Sequence, residues 1–350
     1  MAPATKAETE APPEEIITQN RRIASSFAIV KVETESQKSW DQFYMRNETR
    51  FFKDRHWTDS EFSELKSNKA SNEADAASKA GGSNEADAAS KASTSQQQTS
   101  MVEELEPGII SSTENARPPV LLEVGCGVGN TVYPLLEKSD VLKVHCCDFS
   151  PRAVDFVKLH PLHTPERVHA FVHDLASPQE PLHQIVSNHP IGPPTVVTLF
   201  FVLSAVPPEH HLFVLKALAE CLRLSGKDSQ HENVLLFRDY GHLDLAQVRF
   251  HVRADSAYRE PALLSEDHPY YRRGDGTLTY FFEEDRLRKL AAEAGLEGPI
   301  EVIVKVKVNH LSLLPRTRSQ HDTFAWDASK KATLAPVTTS DALSVFQSIQ

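Results

Sequence analysis

The sequence predicts an α/β chain built on a mostly parallel sheet with helices on both faces, preceded by a small helical lid. Three observations carry this. First, the apolar run Val120–Val124 ends in a turn with glycines at alternate positions, Gly125, Gly127 and Gly129, the signature of a strand feeding a helix around a ligand. Second, from Pro118 onward apolar strand-like runs alternate with helical patterns, which requires parallel pairing with crossover helices. Third, the strand ends carry, in chain order, Gly125, Asp148, Asp174, Ser204 and Asp239. Ligands of open α/β sheets bind along that edge.

Taken in order, residues 1–36 are polar and Pro/Glu-rich at their start and read as a flexible tail, with IASSFAIVKV as a short strand or docking segment. Residues 37–66 are aromatic and basic and read as a lid. Residues 67–116 contain SNEADAASKA twice, at 71–80 and 83–92; two copies do not make a solenoid, and the stretch reads as a low-complexity linker. Residues 117–310 form the catalytic-type domain and 311–350 a Ser/Thr/Ala-rich flexible tail.

Within the domain the predicted strands are Val120–Val124, Val141–Cys147, Val168–Val172, Thr195–Leu203, Asn233–Arg238 and Ile300–Val308. TVVTLFFVL is apolar throughout, as expected of a strand covered on both faces. The predicted helices are Thr131–Glu137, Pro151–Leu159, Glu209–Arg223 and 283–294. Ser150 before Pro151 is an N-cap followed by proline at the first helical position.

Composition narrows the function. A net charge of −11 argues against non-specific nucleic-acid binding by bulk electrostatics, so any such contact needs a local basic patch. The four cysteines form no CxxC pair and read as reduced thiols of an intracellular protein. The sixteen histidines show no HExxH spacing, and no metal site is expected. The N-terminus lacks an apolar signal region, and no apolar run approaches the ~20 residues needed to cross a bilayer.

Glycines at the turn let a nucleotide-like cofactor approach the backbone closely. Asp148 lies 19 residues beyond Gly129, near the spacing at which a carboxylate meets ribose hydroxyls. The lid segment Trp40–Lys66 interleaves Arg46, Arg50, Lys53 and Arg55 with aromatic residues. Guanidinium forks suit phosphate oxygens and aromatic faces suit unstacked bases; a helical cap packed on the domain is the alternative.

The strings WDQFY…RFFKDRHW, LLEVGCGVGNTVYPLLE, CDFSPRAVDFVKLHP, ERVHAFVHDL, TLFFVLSAVPPE, LLFRDYGHLDLAQVRF and RRGDGTLTYFF together resemble the tRNA 3-methylcytidine methyltransferase family. The likeness covers about residues 40–66 and 118–296, in the family's order. It implies a Rossmann-like class I methyltransferase fold with a seven-stranded sheet. It also implies S-adenosylmethionine as cofactor, a tRNA anticodon stem-loop as substrate, and methylation of N3 of the cytidine at position 32. By matching strings, Trp40 and Tyr44 would close over the cofactor, and Glu123, Gly125 and Gly127 would face its methionine part. Asp148 and Phe149 would hold its ribose side, Asp174 and Leu175 its adenine, and Phe200 would border the pocket.

N3 of cytosine is neutral and carries an in-plane lone pair, so no strong base is needed to make the nucleophile. Methylation leaves positive charge on the base, which a carboxylate would stabilise. Asp239 is the candidate, with Tyr240 beside it to stack on or hydrogen-bond the base. Arg46, Arg50, Lys53, Arg55, His56, Arg238, Arg272 and Arg273 are candidates for the anticodon loop. A cytoplasmic location is expected, with the nucleus left open. Some members of the family work with seryl-tRNA synthetase; for this chain the sequence leaves that open. A small-molecule methyltransferase and a cofactor-binding scaffold subunit are the competing readings.

The chain departs from the family pattern in three places. Gly192-Pro193-Pro194-Thr195 stands where an acid usually precedes the fourth strand, an insert spans roughly 254–268, and the family's basic, aromatic C-terminal strand pair is not recognisable in VIVKVKVNHLSLLPRTRSQHDTF.

Overall fold

A computed structural model describes residues 13–19, 21–65, 119–226, 233–252, 260–296, 300–305 and 342–349. The linker assigned to 67–116, part of the insert and most of the C-terminal stretch lie outside the described residues.

Five strands form the parallel part of the sheet: β1 (Val120–Val124), β2 (Lys143–Asp148), β3 (Val168–Val172), β4 (Val196–Phe200) and β5 (Asn233–Asp239). Their spatial order is β3-β2-β1-β4-β5. All five residues of β1 and of β4 are buried, so both faces of the sheet are covered, as a parallel sheet requires. One face packs Leu122, Val124, Val197 and Leu199 against the helix His211–Arg223. The other packs Leu121, Cys146 and Leu236 against Val132, Leu135 and Leu136 of the helix Val132–Lys138. Reversal of the strand order on either side of β1 and β4 opens a crevice at their carboxyl ends. All four cysteines are free and buried.

The helix after β2 runs Pro151–Lys158, and the Ser150 side chain accepts from the Ala153 N–H as its N-cap, as the sequence indicated. A hairpin of β6 (Tyr270–Arg272) and β7 (Leu278–Tyr280) and the helix Leu245–Val252 follow β5 and were not foreseen.

Two sequence expectations are overturned. Residues 13–34 are not a flexible tail: Pro13–Gln19 and Ser26–Thr34 are helices, and of the two readings of IASSFAIVKV the docking segment, not the strand, is the one found. Ala24, Ala28, Ile29 and Val32 join the main core, a spacing of helical period that the β-branched content of IASSFAIVKV obscured. Ser25 caps this helix, and its N–H and hydroxyl both donate to Glu260 at 2.8 and 3.0 Å. At the other end of the chain, β8 (Ile300–Lys305) falls within the strand expected at Ile300–Val308, whereas β9 (Ala342–Ile349) lies in the stretch read as a tail; together they extend the sheet beyond β5. Strand β9 lies between β5 and β8 and runs antiparallel to both, so the last part of the stretch read as a tail covers an edge that parallel strands would leave open.

Candidate functional site

The glycine turn after β1 holds Gly125, Gly127 and Gly129 at φ +63°, +55° and +91°. These are left-handed conformations that side chains disfavour. Asp148, at the end of β2, is buried beneath this turn. Its Oδ2 accepts the Gly127 N–H and its Oδ1 the Ser150 N–H, each at 2.9 Å. Burial pushes its carboxyl up to about 6, against the pull of those N–H groups. The carboxylate is therefore fixed in place by backbone donors before any ligand arrives.

The lid helix Ser36–Asn47 lies over the turn. A Cβ at Gly127 would stand 2.9 Å from Tyr44 Oη, and one at Gly276 in the β6–β7 turn 3.0 Å from Ser39 Oγ. The helix thus bridges the glycine turn and the hairpin. Asp41 accepts from the Ser150 hydroxyl, and the Gln37 side chain donates to the Phe149 carbonyl at 2.6 Å. Trp40 stacks on Tyr44 with centroids 5.9 Å apart. Its Nε1–H is buried and has no partner among the described residues, and Glu123 Oε2 is a buried acceptor in the same condition. A glycine turn without side chains, a fixed carboxylate and unpaired buried polar atoms of both kinds fit a cofactor with ribose hydroxyls and a polar amino-acid end. Asp174, at the end of β3, accepts the Ala176 N–H at 2.9 Å, and Leu175 is buried in the core beside it.

A second group meets where β4 and β5 end. Asp239 is fully buried. Its Oδ2 accepts the Ser204 N–H at 2.9 Å and its Oδ1 the Tyr240 N–H at 3.0 Å. Burial raises its pKa to about 6, with Arg273 and the hydrogen bonds opposing. Arg273 lies 5.4 Å over the Tyr240 ring and closes its own hairpin through the Leu278 carbonyl and Thr279 hydroxyl, both at 3.0 Å. Phe201, which sequence reasoning missed, lies 5.2 Å from Tyr240 and holds φ at +59°. A bulky residue there costs roughly 1–2 kcal/mol, strain that clusters at functional sites. Its N–H donates to the Arg238 carbonyl at 2.7 Å. No local sequence pattern signals this conformation.

Three candidates face differently from the expectation. Phe200 does not line the crevice; it is 2% exposed and stacks on Phe62 at 5.1 Å in the opposite core. Arg238 is not offered to RNA: it pairs with Glu61 and lies 4.1 Å over the Trp57 ring, pinning the lid to β5. Arg55 turns inward, donating to Thr131 Oγ1 at 3.1 Å and facing Glu123 at 3.9 Å. Burial lifts Glu123 to about 7, and the Arg55 charge opposes that rise. Arg46, Arg50, Lys53 and His56 remain exposed on the lid. Arg272 is half-buried at the end of β6.

A family model described as a methyltransferase domain matches residues 122–227. The tRNA N(3)-methylcytidine methyltransferase trm141 of Schizosaccharomyces pombe is 36% identical over 77% of this chain and 84% of its own length. The tRNA N(3)-cytidine methyltransferase METTL6 of Mus musculus is 35% identical over 95% and 94%, and METTL2 of Xenopus tropicalis 37% over 76% and 69%. With relatives of that identity spanning most of both chains, around a glycine turn, lid and paired strand ends of the kind described, this chain belongs to the tRNA N(3)-cytidine methyltransferase family.

Proposed function

We propose that the chain is an S-adenosylmethionine-dependent tRNA methyltransferase that forms 3-methylcytidine at position 32 of the anticodon loop. The observation that carries this reading is a pair of prepared carboxylates at the same edge of the sheet: Asp148 at the end of β2, under the glycine turn, and Asp239 at the end of β5, each held by two backbone N–H groups.

The cofactor, when bound, supplies an electrophilic methyl group for which the N3 lone pair of cytosine is the nucleophile. Asp148 would hold the ribose hydroxyls. Glu123 would hold the amino-acid end, with Gly125 and Gly127 allowing it to approach the backbone closely. Trp40 and Tyr44 would shut out water from above, and Asp174 with Leu175 would receive the adenine. Since N3 needs no deprotonation, the protein's task is alignment and charge stabilisation. Asp239, ionised at neutral pH with a pKa of about 6, would offset the positive charge left on the base and accept a hydrogen bond from its exocyclic amine. Tyr240 and Phe201 offer ring faces for a base splayed from the loop. The exposed Arg46, Arg50, Lys53 and His56, with Arg272, would meet the backbone on an otherwise acidic protein. Seryl-tRNA synthetase is proposed as an auxiliary partner that presents the tRNA, and the cytoplasm as the place of action.

The test is methyl transfer from labelled S-adenosylmethionine to total tRNA, followed by nucleoside mass analysis. A 3-methylcytidine peak, with or without added seryl-tRNA synthetase, supports the reading. Cofactor binding with no product in either arm would favour a scaffold role and overturn it.

A further inference from the structure

At the β3 edge of the sheet, away from the lid, three imidazoles meet. His145 on β2 and His169 on β3 are ladder partners, so their side chains stand together on one face of neighbouring strands. His189 follows the helix Leu182–Ser187 and lays its ring parallel to that of His169, with centroids 3.8 Å and planes 5° apart. Phe171 stacks on His169 at 4.6 Å. One ring nitrogen from each histidine lies within 4.8 Å of the other two.

We propose that His145, His169 and His189 form a binding site for a borderline divalent transition metal, zinc above all, with water completing the coordination. Imidazole nitrogens suit zinc, copper and nickel, and three histidines with one open position is an established zinc geometry. The hydrogen bonds of His145 are those of a ligand. Its Nε2 lies 2.8 Å from the Gly192 carbonyl, and a carbonyl only accepts, so Nε2 carries the proton. The Nδ1 lone pair is then fixed towards His169 Nδ1, 3.0 Å away. A ring N–H given to a backbone carbonyl is what orients ligating histidines in metal sites.

The spacing is close to what a metal imposes. In a tetrahedral site, zinc–nitrogen bonds of about 2.0–2.1 Å set the nitrogens roughly 3.3–3.4 Å apart, so the His145–His169 pair at 3.0 Å opens only slightly to take the ion. His189 is half-buried, and to aim its in-plane lone pair at the ion its ring would turn out of the parallel stack on His169. That turn gives up a contact from the Ile191 N–H to its Nδ1 at 3.3 Å. Burial lowers His145 and His169 to about 4 and depresses His189 as well. All three are therefore neutral at pH 7, and coordination needs only a tautomer shift: the proton on His169 Nδ1 passes to its Nε2, with no net release. The metal would tie β2 and β3 to the segment entering β4. Gly192, where the chain departs from the family pattern, supplies the supporting carbonyl.

The experiment uses the full chain, stripped with EDTA and titrated with zinc chloride against a chromogenic chelator. Cobalt(II) chloride serves as the spectroscopic probe. The wild type should bind one equivalent at least tenfold more tightly than His169→Gln and His189→Ala, with cobalt d–d bands and no thiolate charge-transfer band. His183→Ala, which breaks only the pair with Glu220 at 3.1 Å, should keep wild-type affinity. His169 and His189 are half-buried, and metal-free melting curves of their variants check that the fold is kept. Equal zinc binding by wild type and both cluster variants, an equal loss in His183→Ala, or a thiolate band would overturn the assignment.

Discussion

Removing the Arg238 side chain separates two roles that the sequence alone confuses. If Arg238 holds the lid, Arg238→Ala destabilises the protein; if it grips RNA, the variant folds normally and binds tRNA less well. The geometry favours the first. The guanidinium and the Glu61 carboxylate are only 11% and 22% exposed, and the guanidinium lies 4.1 Å over Trp57. An exposed pair contributes ~0–1 kcal/mol. Breaking a fully buried one costs ~3–5 kcal/mol because the partner charge is stranded, and the loss of the cation–π contact adds ~1 kcal/mol. With partial exposure, about 3 kcal/mol is expected, which lowers Tm by about 6–12 °C in a domain of this size. The assay is urea and thermal unfolding of wild type, Arg238→Ala, Glu61→Ala and the double variant. A coupling energy of about 1–3 kcal/mol between the two sites is expected. The second measurement is the salt dependence of tRNA affinity, whose slope should not change. Unfolding within ~0.5 kcal/mol of wild type, together with a slope reduced by ~1, the mark of a lost phosphate contact, would refute the assignment.

Three further outcomes follow from the site. Gly127→Ala places a Cβ 2.9 Å from Tyr44 Oη on a residue at φ +55°, so cofactor affinity by titration calorimetry should fall by about tenfold or more, and Tyr44→Phe in that background should restore part of it. Asp239→Asn should leave cofactor affinity intact but lower turnover on the order of 100-fold. In the wild type, kcat at saturating cofactor should drop as pH falls through about 6, where the carboxyl protonates, and the variant should lose this acid limb; wild-type turnover in Asp239→Asn would remove Asp239 from the chemistry. Glu123 has a pKa raised from 4.5 to about 7 by burial, so its ionised form costs stability: its contribution is fully present below pH 4.5 and is lost as pH rises through about 7. Unfolding free energies of ligand-free wild type should therefore gain on those of Glu123→Gln by on the order of 2 kcal/mol between pH 7.5 and 5. A constant difference across that range would show that Glu123 is not desolvated.

What the sequence made legible was whatever local chemistry encodes. The strand-to-glycine turn, the Ser150-Pro151 helix start and the acids closing β2 and β5 are each written in a few adjacent residues, and all fall where expected. The helix Ser26–Thr34 was hidden because its β-branched residues also suit a strand, while the Ser25 cap that decides the matter engages Glu260, 235 residues away. Strand β9 was hidden for a related reason: its pairing partners, β5 and β8, lie far from it in sequence. Side-chain direction at the site was the least legible feature. In a strand covered on one face only, alternation of apolar and polar residues tells which side chains point inward. Strand β4 is buried at all five positions, so alternation is erased, and Phe200 and Phe201 are indistinguishable as a pair of letters. The fold separates them by turning the backbone at Phe201 to φ +59°. That turn leaves Phe200 against Phe62 in the core and carries the next ring to Tyr240 at the crevice. Burial likewise erases alternation along most of β2, though not on the edge strand β3: His145 and His169 are 24 residues apart in sequence, and only the parallel register brings them to 3.0 Å. Where both faces of a sheet are buried, the pairing register decides which side chains meet, and register is a property of the whole fold rather than of any segment.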